Sequence, residues 1–398
     1  MGDERLRTAL GYRRFTEAEP RVLILSSGYL VVRDTLDAAR ELGWTVHELQ
    51  TPSVGDLPPD YIARLLTALV AFRPDFMLTI NHLGLDERGE LATLLDRYRV
   101  ATASWFVDHP LPVLGGAPRN ATPHCQVFCF ERTALPWLEA QGYRDPVLLR
   151  TASNARYFDP RRVDRATIAR LQGALTFAGN SWWTKAREEP APALRRAAAR
   201  FARQHRVDRR AVAGGVLDRL RPHAPAELGP RAPYLLGQTV MAEASMQTRG
   251  RLARALAPLG LRVHGDRHWS NLCPELDLVP MLDYATELPA LFVGSAINAN
   301  VTAEQMPTAL NQRVWDVPAV GGFLLTDAQE DALELFVDGE DIALYRDMAE
   351  AADKVRFYQA RPSLRAAIAA RGQAKVHRLH RFTHRMRHIG EVMRARFG

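Results

Sequence analysis

The feature that most constrains the fold is the alternation of short apolar runs with amphipathic segments across residues 21–150. RVLILSS is an apolar run with β-branched character. VVRDTLDAARELG follows with Val31, Leu36, Ala39 and Leu42 on one helical face and Gly43 placed at its cap. TVHELQ is a second strand and DYIARLLTALVAF a second amphipathic helix. RPDFMLTIN, DERGELATLLDRY, VATASWFVDHP, CQVFCF, RTALPWLEAQGY and DPVLLR continue the series. Strands alternating with helices of this length predict a parallel sheet with right-handed crossovers, a Rossmann-like domain.

The rhythm breaks at TASNARYFDP, residues 151–160, and resumes with the strand and turn LTFAGNSWW. Residues 185–222 are rich in Ala and Arg and predict helices; turns with Pro and Gly fill 222–233. GRLARALAPLGLRVHGD predicts helix, turn and strand, and VPMLDYATELPALFVGSAINANVT predicts loop, short helix and strand. The strand IALYR and the helices MAEAADKVRFYQA and SLRAAIAARGQAKVHRLH follow. At 398 residues the chain exceeds what one hydrophobic core usually supports. The expected architecture is therefore α/β, with two Rossmann-like domains facing a cleft. Their boundaries are 1–160 and 161–382, with a closing helix at 383–398 that has little left to pack on in its own domain.

Bulk properties exclude several classes. With 47% apolar and 24% charged residues the composition is that of a soluble globular chain, and no apolar run reaches the length of a membrane span. MGDERLRTALGYRRF lacks a signal peptide's apolar core, and Gly2 lacks the Ser or Thr at position six that myristoylation requires, so a cytoplasmic location is expected. Cys125, Cys129 and Cys273 form no CxxC pair and fit neither a disulfide framework nor a structural zinc site. The net charge of +7 is carried almost wholly by arginine, with lysine only at 185, 354 and 375. No recognition motif accompanies it, so no nucleic-acid partner is expected.

Ligands of open parallel sheets bind beyond the carboxyl ends of the strands. In the first half those ends hold Ser27, Gly28 and Tyr29, then Asn81 and His82, then Asp108 and His109. Ser27 and Gly28 suit either a tight turn or backbone contact with an anion. Asp108 and His82 suit either a general base or local capping and loop roles. In the second half Gly179, Asn180 and Ser181 follow one strand, and His264, Gly265 and Asp266 follow another. His264, Asp266 and His268 are metal ligands by type, but their spacing matches no standard zinc set, so contact with a ligand or turn structure is expected there and no metal.

The stretch INANVTAEQMPTALNQRVWDVPAVGGFLLTD, residues 297–327, is unusually polar for a crossover between strands. It contains neither GxGxxG nor GxxxxGK[ST]. Met306, Leu310, Val314 and Val317 recur on one helical face, and Thr308, Gln312 and Asp316 on another, which predicts a helix with Pro307 in its first turn. A helix N-terminus, the fork of Arg313 and a carboxylate a turn later together suit a nucleoside diphosphate. Arg313 and Asp316 equally suit a helix-surface ion pair.

The chain resembles the GT-B glycosyltransferases of group-1 type, in particular spore maturation protein CgeB-like proteins. The matching pieces are PDFMLTINHLG (74–84), ASWFVDHP (103–110), SNARYFDP (153–160), TFAGNSWW (176–183), the 297–327 stretch and LFVDGEDIALYRDMAEAADKV (335–355). The resemblance covers nearly the whole chain and is weakest in 185–250. It implies a sugar-nucleotide donor, UDP-sugar favoured, on the C-terminal domain and a glycan, protein or small-molecule acceptor on the N-terminal one. The implied donor contacts are Gly179, Asn180, Ser181, His264, Gly265, Asp266, Asn298, Asn300, Thr302, Gln305, Thr308, Arg313 and Asp316. Ser27, Gly28, Tyr29, Asn81 and His109 are expected on the acceptor or phosphate side. Arg313 would stabilise the leaving diphosphate without a bound metal or tightly held cofactor, with Asp108 first and His82 second as base. Many relatives carry Glu at the ribose position held here by Asp316, and Thr308 stands where the Glu-x7-Glu pair of retaining enzymes would begin. The resemblance also implies that the final helix crosses back to the N-terminal domain. A sugar-nucleotide epimerase and a non-catalytic nucleotide-sugar-binding protein are the alternatives.

Overall fold

The computed structural model describes residues 3–52, 57–115, 120–204 and 216–398; part of the expected Arg-rich helical section, residues 205–215, lies outside the described residues. The chain divides into two compact units, residues 1–151 with 382–398, and residues 152–381.

The first unit is built on six parallel strands: β1 Arg21–Ser26, β2 Thr45–Gln50, β3 Phe76–Ile80, β4 Thr102–Phe106, β5 Cys125–Cys129 and β6 Val147–Leu148, in the order β2-β1-β3-β4-β5-β6. β3, β4 and β5 are buried at every position, as strands must be when helices cover both faces of a sheet. β2, at the edge, keeps exposed polar positions. The helix Leu30–Glu41 buries Val31, Val32, Leu36, Ala38 and Ala39, and Gly43 takes the left-handed conformation (φ 77°) that ends it. The cysteines are buried thiols, and burial pushes Cys125 and Cys129 up to about 12, so they act as small apolar side chains.

The closing helix Phe382–Phe397 belongs to this unit. It buries Phe382, Met386, Ile389 and Met393. Gly390 lets Trp44 approach, since a β-carbon at 390 would stand 2.9 Å from that ring. Arg394 donates to the carbonyls of Phe15, Glu17 and Ala18, and Arg385 to those of Arg150 and Thr151.

The second unit repeats the architecture with β7 Gly173–Ala178, β8 Leu261–His264, β9 Asp277–Val279, β10 Ser295–Ala299, β11 Leu324–Asp327 and β12 Ala343–Tyr345, ordered β12-β11-β10-β7-β8-β9 and all parallel. Three elements differ from the sequence expectation. β9 is only three residues long, too short for a periodic signal. The helix Ala232–Leu256 runs for 25 residues where only its last turns were expected; its buried residues lie on every face, so no amphipathic stripe marks it. The helix expected from Pro307 starts instead at Arg313 and ends at Ala319. Residues 300–312 before it are irregular backbone, held by side-chain hydrogen bonds described below.

Gly390→Val should overpack the contact with Trp44. We expect a loss of about 1–3 kcal/mol, seen as a lower urea midpoint. A wild-type midpoint would show that the closing helix does not need its glycine.

Candidate functional site

Strand order reverses in each sheet at one place, between β1 and β3 in the first unit and between β10 and β7 in the second. Crevices at such points are where open α/β sheets bind ligands.

At the second of these, the turn after β7 gathers an unusual set of cations. Gly179 has φ +153°, and a β-carbon there would stand 2.5 Å from Nη2 of Arg313. Glycine is therefore what admits the guanidinium to this turn. The Arg313 guanidinium carbon lies 5.2 Å from the ring centroid of Phe177. A second arginine, Arg249 of the long helix, lies 5.8 Å from the same centroid and 5.7 Å from that of Trp182. Arg249 donates to both oxygens of Asn180, its backbone carbonyl and its side-chain amide. Burial, and then the charge of Arg313, hold Arg249 well below the usual arginine range, with Asp266 opposing. Burial pushes Arg313 down to about 10, with Asp316 and Tyr284 opposing. The Nε atoms of both arginines are buried with no hydrogen-bond partner, as is the indole nitrogen of Trp182. Trp182 also holds a left-handed backbone (φ 67°), a strained state for a bulky residue.

Beside these groups is a cavity of about 130 Å³ lined by Ala178, Gly179, His264, Met281, Leu282, Tyr284, Leu288, Phe292, Gln312, Arg313 and Asp316. His264 is buried and neither ring nitrogen has a partner. Burial, and next Arg262, hold it below the ordinary histidine range. Asp316 is 1% exposed. Its Oδ2 accepts from the Tyr284 hydroxyl at 2.7 Å and its Oδ1 from Gln312 Nε2 at 3.1 Å.

Other expected donor contacts are turned inward. Ser181 donates its N–H (2.5 Å) and hydroxyl (2.8 Å) to Asp266, which also caps the His268 N–H at 3.0 Å. That carboxylate ties two loops together. Gly265 lets Trp269 pass: a β-carbon would stand 2.4 Å from its Nε1, which donates to the Gly179 carbonyl at 2.9 Å. Asn298 donates to the carbonyls of Phe292 and Phe323. Asn300 and Asn311 exchange amide hydrogen bonds at 3.1 and 3.0 Å, and Asn300 also reaches Thr326. Thr302 donates its N–H and hydroxyl to Asp327. These side chains satisfy one another in the interior and hold the irregular 300–312 segment where a helix was expected. Thr308 is buried, its carbonyl accepting from Asp331, and does not share a helix face with Gln312 and Asp316; Gln305 is half-buried outside the cavity lining. Glu304, absent from the sequence expectation, anchors the same segment to the long helix through Thr248 (2.7 Å) and Ser245 (2.9 Å).

In the first unit Asp108 Oδ2 accepts from the Tyr29 hydroxyl at 2.5 Å and from Asn81 Nδ2 at 2.9 Å. Asn81 returns its Oδ1 to the N–H groups of Val107 and Asp108. The ends of β1, β3 and β4 thus converge on one carboxylate. Ser27, beside Gly28 (φ 74°), has a buried hydroxyl with no partner. The two histidines lie outside helices and strands, as loop residues do, but both are buried. His82 is buried with Nδ1 on Ser104 (2.5 Å) and Nε2 on Tyr143 (2.8 Å), and burial pushes it down to about 3. His109 is buried, caps the Leu111 N–H through Nδ1, and burial pushes it down to about 4 against the opposing charge of Glu131.

Residues 248–391 match the family model described as glycosyl transferase-like. The whole chain superimposes on a sucrose-phosphate synthase from Thermosynechococcus elongatus (TM-score 0.57, 11% identity, 95% of this chain and 99% of that one). It also superimposes on a glycosyltransferase from Rickettsia africae (0.58, 10%, 96% and 99%) and on Anabaena HepE in complex with UDP-glucose (0.56, 12%, 95% and 100%). The sequence matches none of the curated proteins. The fold is GT-B. Its second unit carries most of the glycosyl transferase-like domain, and β7 and β10 meet near the turn where Arg249 and Arg313 lie. Sequence pattern named Arg313 and Asp316 but missed Arg249 and Tyr284. The signal for Arg249 was faint: one of two arginines in TRGR at the end of a long stretch with no apolar face. Tyr284 lies in a loop with no pattern at all.

Arg313 is half-buried, and its buried Nε has no hydrogen-bond acceptor, which opposes folding. Arg313→Met should therefore raise stability by about 1–3 kcal/mol in phosphate-free buffer. Thermal melts check this, and a clearly lower melting temperature would show that Arg313 is a structural tie.

Proposed function

We propose that the protein is a glycosyltransferase that moves a sugar from a nucleoside-diphosphate sugar to an acceptor without a bound metal. The pair of arginines at the β7 turn carries this reading. A departing diphosphate leaves with negative charge, and donors already fixed in a dry site stabilise it without reorganising. Arg249 and Arg313 each keep a buried Nε without a partner, and they supply the positive charge that other transferases obtain from a cation. Gly179 and Asn180 form the turn between them, and Asp316 in the adjoining cavity suits the ribose. UDP is the favoured nucleotide: HepE of Anabaena is a GT-B protein seen with UDP-glucose, and the small apolar cavity suits a pyrimidine. The 297–327 motif favours the CgeB-like branch.

The acceptor is assigned to the first unit. There Asp108 is the base, and His82 is withdrawn from that role because both of its nitrogens are engaged. The acceptor oxygen forms its bond to the anomeric carbon as the bond to the diphosphate oxygen breaks, and the acceptor proton passes to Asp108. Tyr29 and Asn81 fix the carboxylate, and the Ser27 hydroxyl is free to hold an acceptor group.

UDP should raise the melting temperature of the wild type by mass action and leave that of Arg249→Met unchanged. Asp108→Asn should lower kcat for transfer by about 10²–10⁴ while the Kd for the donor stays the same. Wild-type transfer by Asp108→Asn would remove it as base. A product that is epimerised without any acceptor would replace the transferase reading.

A further inference from the structure

A crossover between parallel strands needs about a dozen residues, and residues 27–44 suffice between β1 and β2. Residues 179–260 connect β7 to β8, far more than a crossover requires. They hold 15 of the chain's 52 Lys and Arg but only 6 of its 45 Asp and Glu, a net +9, so the rest of the chain sums to −2. The positive charge of the protein thus belongs to one insert. Most of the acids described there are already engaged: Glu243 pairs with Arg187 (2.7 Å), Glu189 with Lys185 (3.4 Å), Asp218 with Arg221 (3.7 Å) and Glu188 with His268 (3.4 Å). The helix Pro192–Gln204 buries Leu194, Ala197, Ala198 and Phe201 and packs on the helix Ala232–Leu256. Arg196, Arg200 and Arg203 recur on its outer face at i, i+4 and i+7; all three are exposed, and none forms an ion pair with a described residue. Like charges three and four residues apart oppose one another, so this stripe costs the empty helix stability.

Steps of four and three residues space the three charges by about 6 and 4.5 Å along the helix axis. A DNA duplex carries one charge per about 1.7 Å, far denser than this stripe. Among the described residues of the insert no large apolar side chain is exposed, so it lacks a wedge for a bilayer and an exposed ring on which bases stack. Guanidinium forks meet carboxylates in two-point contacts. We propose that the stripe Arg196, Arg200 and Arg203 is a docking surface for an acidic glycan, whose carboxylates recur along an extended chain. The choice of a glycan among acidic chains rests on the glycosyltransferase reading above, with the docked chain as acceptor.

Fluorescence anisotropy of the full chain with a labelled oligogalacturonate tests this at two salt concentrations. The wild type should bind it, and more weakly as salt rises. The triple variant Arg196→Gln, Arg200→Gln, Arg203→Gln should weaken binding about tenfold or more and lower the slope of log K against log salt by about 2. The rise in melting temperature with UDP should stay the same. Arg200→Glu removes both like-charge contacts of the stripe, so it should raise the melting temperature of the empty protein and still weaken binding; it serves if the triple variant does not fold. Wild-type binding by either folded variant overturns the proposal, as does equal competition by the neutral methyl ester. Poly-glutamate, duplex DNA or phosphatidylglycerol vesicles competing better at equal charge overturn the choice of a glycan. A wild type that binds the oligogalacturonate but shows no shift with UDP overturns the donor reading and not the docking surface.

Discussion

The organisation of the second unit depends on one electrostatic conflict. The guanidinium carbons of Arg249 and Arg313 lie 5.8 and 5.2 Å from the same phenyl centroid, so they are no more than about 11 Å apart. At an effective dielectric of about 20 their repulsion is at least about 1.5 kcal/mol, before any cost of desolvation. Asp266 and Asp316 relieve part of it. Both carboxylates, however, accept from neighbouring donors, Asp266 from Ser181 and His268, Asp316 from Tyr284 and Gln312. A site with buried cationic donors left over is poorly arranged for an empty protein and well arranged for an anionic ligand.

The surrounding structure holds this conflict in place. Gly179 opens the space Arg313 occupies, and Trp269, admitted by Gly265, fixes the Gly179 carbonyl. Asn180 holds Arg249 through two oxygens. On the far side of β7, the Asn300–Asn311 amide pair and the Thr302–Asp327 contacts shape the segment that delivers Arg313. Several polar residues near the site thus secure the backbone around it. Residue type alone does not separate these from residues that touch a ligand, because Asn and Thr are equally apt for either.

The α/β alternation was legible because strands covered on both faces are uniformly apolar and helices covered on one face are periodic. The expectation of two Rossmann-like domains rested on that alternation in both halves, and that of GT-B on the resemblance of motifs such as residues 297–327. What failed was informative for the same reason. The Ala232–Leu256 helix is buried on every side, so its period is invisible, and Arg249 was hidden with it. The 303–312 segment showed a helical period that its backbone does not follow. There the side chains of Asn300, Asn311 and Gln329 compete for backbone and for one another, and Gln329 takes the Met306 carbonyl. His82 and His109 follow strands that are buried at every position, so the segments that hold them are buried as well.

The loss of the expected helix also changes how an anion would be held. A helix starting at Pro307 would have offered its N-terminal N–H groups and dipole to a phosphate. The helix that does form is seven residues long, begins at Arg313 and carries Pro318 within it. So short an element contributes little dipole, and attraction must come from explicit charge. That is why the glycine turn after β7 has to admit one guanidinium and why the long helix has to bring a second. In the proposed reading, two forks with fixed geometry would do what a phosphate loop does with backbone amides, and no glycine-rich motif would be needed in the sequence.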